Sequence, residues 1–148
     1  MRDNAWLDQQ MHQLWQHHFS DILMVTPIKI NFGRYAYRRL GSIILRPSGV
    51  IPEHQHAHIV ISAALADPRV PDIVVQQVIA HELVHYIHGF GSHLPRRLRH
   101  PHQGGVIARE FRRRGLWELF RAYQAWMKVN WVNYLRQQGQ HPTGIPLD

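Results

Sequence analysis

The sequence predicts an α+β fold in which a small, mostly antiparallel sheet packs on one central helix, with further helices at both ends. Three observations carry that expectation. Apolar stripes of helical period run near both termini, at about 4–18 and 116–137. Three short runs rich in β-branched and alternating apolar residues lie between positions 28 and 62. After them comes "DIVVQQVIAHELVHYIH", apolar on most sides, as a buried helix is.

The elements follow in order. In the first helix Leu7, Met11, Leu14, Trp15 and His18 share a stripe, and Asp3 or Asn4 can cap its start. Pro27 opens a strand, "IKINF", that Gly33 ends. "GSIILR" and "HIVIS" are the next two strands. The turn-rich "PSGVIPEHQHAH" between them suits an antiparallel pair with a long connection. Pro71 fits the first position of the central helix, Asp72 favours the positive end of its dipole, and Gly89 stops it. Residues 89–103 form a loop rich in Gly, Pro, Arg and His. A helix from about 105 to 114 follows, broken by Gly115. The last helix collects Leu116, Leu119, Phe120, Tyr123, Trp126, Met127, Trp131 and Tyr134 on its apolar side. No repeat or linker divides the chain, so residues 1–148 read as one domain with its core at about 22–115.

Composition narrows the class. At 45% hydrophobic and 18% charged residues, the 148-residue chain has the profile of a folded domain rather than a disordered one. No apolar run approaches the roughly 20 residues that span a bilayer. The start, "MRDNAWLDQQMHQLWQHH", is too polar for a secretory signal, so the expected location is the cytoplasm, without a membrane partner. The lack of cysteine removes disulfides and thiolate metal sites. The formal charge is +7, and Arg96, Arg97, Arg99, Arg109, Arg112, Arg113 and Arg114 crowd into nineteen positions. Such a surface suits a polyanion such as DNA, and it equally suits solubility and the charge of helix ends. Trp117, Trp126, Trp131, Tyr123 and Tyr134 could stack on unpaired bases, although their helical spacing reads first as core packing.

The chemistry concentrates in "HELVH". His81 and His85 are four apart, so a helix projects both imidazoles from one face, one turn apart. That spacing lets them converge on one zinc ion at roughly 2.0–2.1 Å each. Glu82 is offset from that face, where its carboxylate can address a water on the metal without ligating it. With thirteen His and four Glu in this chain, about 0.03 such motifs are expected by accident. A histidine-rich core helix is therefore the weaker reading. A catalytic zinc takes three protein ligands and keeps a position for water. The third must lie beyond Gly89, because His88 continues up the helix away from the ion. His102 is favoured because "HQGG" sits where the next helix begins. His100, His93, Glu110 and Glu118 are the alternatives.

The order "LGSIIL", "HIVISAAL", "VVQQVIAHELVHYIHG" and "PHQGGVIAREFRRRG" resembles the SprT-like zinc metallopeptidases and the related compact YgjP-type peptidases. The resemblance covers roughly residues 30 to 115. It implies a zincin-like fold, zinc on His81, His85 and His102, and Glu82 as general base. "EHQHAH" adds a minor expectation. On an extended strand His54, His56 and His58 would point the same way and could form a second metal site. Tyr86, His88 and His100 are candidates to polarise a substrate carbonyl.

The expected function is that of a zinc-dependent endopeptidase that uses a Glu-activated, zinc-bound water and is recruited to protein substrates by DNA. The competing expectation is a non-catalytic DNA- or partner-binding module with a structural zinc in a closed four-ligand shell. Metal-dependent hydrolysis of something other than a peptide is the third.

Overall fold

A computed structural model of the chain describes residues 1–49 and 54–139. It is an α+β molecule with a three-stranded sheet. The first helix, α1 (Asn4–His18), starts where the Asp3 carboxylate accepts a hydrogen bond from Trp6 N–H at 2.8 Å. It buries Leu7, Met11 and Leu14, one stripe at helical spacing.

The strands are β1 (Ile28–Phe32), β2 (Gly41–Pro47) and β3 (Gln55–Ile61), in the order β1-β3-β2. β2 and β3 are antiparallel, Gly41 opposite Ile61 and Pro47 opposite Gln55, as the long connection suggested. β1 and β3 run parallel, Ile28 opposite Ala57 and Phe32 opposite Ile61, so the sheet is mixed rather than mostly antiparallel. The reason lies in residues 33–40. This segment is too long for a tight hairpin, and it holds β1 and β2 about 10 Å apart, two strand spacings. β3 fills that slot. The segment arches over its end, where Ser62 N–H donates to Leu40 O at 2.8 Å and Ala36 N–H to Ser62 Oγ at 2.9 Å.

The central helix, α2 (Asp72–Ile87), lies against β2 and β3, while α1 covers β1. Val75, Ile79 and Leu83 are fully buried, each contributing about 1.5–3 kcal/mol of transfer free energy. The sheet supplies Ala57, Ile59 and Ile61 to the same core. After the loop come α3 (Val106–Arg113) and α4 (Trp117–Trp126). α4 continues without a break through a π-helical turn, Met127–Trp131, into α5 (Val132–Gln137). Trp131 and Leu135 seal the core, and Trp131 Nε1–H donates to Tyr37 O at 3.3 Å. Among the described residues no helix is long and apolar enough to cross a membrane.

Candidate metal centre

His81 and His85 occupy successive turns of α2, with ring centroids 4.6 Å apart. His102 reaches them from the end of the loop, its ring centroid 5.3 Å from that of His81 and 4.8 Å from that of His85. The turn that delivers it needs two left-handed residues in a row, Gly104 (φ 59°) and Gly105 (φ 70°), before α3 begins. This is the physical content of "HQGG". One nitrogen from each ring lies within 4.8 Å of the others, and among the described residues no other such group of three His, Cys, Asp or Glu forms. His81 Nε2 and His102 Nε2 are 3.2 Å apart. Two nitrogens at 2.0–2.1 Å on a tetrahedral ion are about 3.3 Å apart, so this pair already has the bite of a chelate. Three imidazoles, one of them exposed, also match a donor set that leaves a coordination position to solvent. The residues fit a metal ion.

Glu82 is 2% exposed, and its position depends on a residue that the sequence did not single out. Gly41, the first residue of β2, lies directly beneath it. A Cβ there would stand 3.1 Å from Glu82 Oε1 and 2.7 Å from Val78 Cγ1. The carboxylate thus occupies space that any side chain at 41 would claim.

The cluster sits on the divide between two cavities. The larger, about 730 Å³, is walled by α2, α3 and α4 and is lined by His81, Glu82, His102 and Tyr123. The smaller, about 470 Å³, lies between β2 and the loop and is lined by Glu82, His85 and His102. Among the described residues Tyr123 is the one hydroxyl on the larger wall. Its stripe marked it as core, and nothing in helical spacing reveals which member of a stripe faces a cavity.

The alternative ligands are held elsewhere. Both oxygens of Glu110 are taken, Oε1 by His88 Nε2 at 3.2 Å and Oε2 by Arg114 Nε–H at 3.0 Å. His93 Nε2 pairs with Gln55 Oε1 at 2.7 Å. His100 and Glu118 are exposed and outside the cluster. Of the candidates to polarise a carbonyl, the Tyr86 hydroxyl donates to Thr26 O at 2.6 Å in the core and His88 faces Glu110, so neither reaches the divide. His56 and His58 share a sheet face, with ring centroids 5.8 Å apart, but they turn to Ser48 Oγ and Asn31 Oδ1, and His54 does not join them in a ligand group. Burial, then the charges of Lys29 and Arg46, hold His56 below the usual imidazole range. Those same charges oppose a cation there.

Six of the seven clustered arginines, Arg96, Arg97, Arg99, Arg109, Arg112 and Arg113, reach solvent. Arg96 lies over the Phe90 ring at 4.6 Å and Arg112 over Trp117 at 4.0 Å. The Arg114 side chain is largely buried. It is bound to Glu110, to Asp21 at 2.6 Å and to His18 O at 3.0 Å, tying α3 to the end of α1. Trp131 and Tyr134 are buried against each other and offer no face to a base. Comparison with family models, with curated proteins and with solved structures finds no match to this chain.

Proposed function

We propose that the chain is a zinc-dependent endopeptidase, with a zincin-like arrangement of the SprT-like kind. The observation that carries this reading is the convergence of His81, His85 and His102 beside a buried carboxylate, at the junction of two cavities. An extended chain could enter on one side of the cluster and leave on the other. β2 is an edge strand beside the smaller cavity, and an edge of that kind can pair with a peptide backbone.

The three imidazoles would hold the metal as neutral ligands. Zinc, when bound, supplies Lewis acidity to a water and to a carbonyl oxygen. Glu82, confined above Gly41, takes a proton from the attacking water and returns it to the leaving amine. Leu40, Val78 and Met127 limit water around it.

The test is Glu82→Gln. It should keep zinc but cut casein or peptides at least about 100-fold more slowly. Cleavage at the parent rate would end this reading. The structural-zinc alternative needs a fourth protein ligand, and Glu110 is committed to His88 and Arg114.

Recruitment by DNA is the second part of the proposal, and it rests on the six exposed arginines. Duplex binding should weaken steeply with salt, by a log–log slope of about −0.9 for each phosphate contact. No binding at low salt would remove this part alone.

A further inference from the structure

The two cavities differ in chemistry, and the difference points to a substrate class. The larger is lined by Leu40, Val78, Ile107, Phe120 and Met127, and its volume of about 730 Å³ lies in the range of ligand-binding clefts. Beside the histidines and Glu82 its polar members are Gln77, buried, Tyr123, half-buried, and Gln124 and Lys128, which are exposed at its rim. The smaller cavity has Ile43, Leu45 and Phe90 in its lining but is flanked by Arg39 and Arg96, both exposed, and among the described residues Glu82 is its only acidic member. The Phe90 ring supports the Arg96 guanidinium from beneath, at 4.6 Å. The larger cavity takes in His81 and the smaller His85, while Glu82 and His102 border both. Groups bound in the two cavities would therefore flank the same reacting carbonyl.

We propose that the site selects peptides with a large apolar or aromatic residue on one side of the scissile bond and an acidic residue on the other. The apolar side chain enters the cavity between α2, α3 and α4, and the carboxylate meets Arg39 and Arg96. This rests on the endopeptidase reading and names the substrate of the same site. The overall charge of +7 would attract any acidic peptide, so the claim concerns position, not composition.

The experiment uses the full-length Glu82→Gln chain loaded with zinc, and labelled peptides of one composition. In two of them Phe and Glu flank a central Ala-Ala, in either order, and in a third both are moved to the ends. Equilibrium binding is read by fluorescence anisotropy, and cleavage of the same set by the parent enzyme is read by mass spectrometry. One flanking order should bind at least threefold tighter than the third peptide. Arg39→Glu with Arg96→Glu should then transfer that preference from Glu to Lys. Ala108→Trp, or Ala125→Trp at an exposed position of the same wall, should lower the preference for Phe over Ala. Discrimination below threefold in both orders, or a preference that survives both sets of substitutions, overturns the assignment. Casein cleavage by the parent with indiscriminate peptide binding would leave the endopeptidase reading standing and this one fallen. Discriminating peptide binding without any cleavage would do the reverse.

Discussion

Gly41 has no side chain, and the placement of Glu82 needs that absence. A methyl group at 41 would press on the carboxylate from 3.1 Å and on Val78 from 2.7 Å, both tighter than ordinary contact. Gly41→Ala should therefore retain zinc, because the three imidazoles are not displaced, but should lower kcat at least about tenfold by misplacing the base. Parallel metal analysis and steady-state kinetics check this, and an unchanged kcat would show that the carboxylate has room to spare. The histidine spacing of "HELVH" was legible because a helix has one geometry. The role of Gly41 was not, because it arises where a strand end meets a helix face 41 residues further on. Tyr123 was hidden for a related reason: it belongs to the apolar stripe of α4 and also to the cavity wall.

At the scale of elements, the join of α1, α2 and α3 depends on one buried ionic cluster. Glu110 bridges His88 of the α2 end and Arg114 after α3, and Arg114 reaches back to Asp21 and His18 O. The Glu110–Arg114 side chains are 6% and 7% exposed. Arg114→Ala would leave a buried carboxylate short of its partner, at a cost of about 3 kcal/mol. It should also weaken zinc binding, since α3 carries the turn that delivers His102. Urea unfolding and zinc titration measure the two effects, and loss of stability without loss of affinity would separate α3 from the metal centre. The same cluster sets a pH dependence. Burial pushes the Glu110 carboxyl up, but the His88 hydrogen bond and the Arg114 and Arg113 charges outweigh it and hold it below its ordinary value of 4.5. Its stabilising contribution is therefore complete above pH 4.5 and is lost as pH falls through the lower folded value. Glu110→Gln should flatten that acid limb. Sequence alone offered Glu110 as a possible ligand, since type and distance along the chain do not tell a ligand from an ion-pair partner.

On the scale of the whole molecule, helices and strands were readable from periodicity, and their pairing was only half readable. The β2–β3 pair followed from the turn-rich connection. The parallel β1–β3 pair depends on the eight residues 33–40 bridging a slot that a later strand fills, which local pattern does not encode. In the same way α4 and α5 were visible as one apolar rod, but α4 was not visible as the third wall of a cavity. The fold brings together α2, the turn before α3 and the first residue of β2, three pieces far apart in sequence, and the proposed chemistry needs all three.

The most direct measurement is the metal content of the purified chain and of its His85→Ala variant, by elemental analysis after dialysis. The account expects one zinc per parent chain, with binding at least about tenfold weaker in the variant. A parent that stays empty after incubation with excess zinc, or a variant that binds as tightly as the parent, would contradict it.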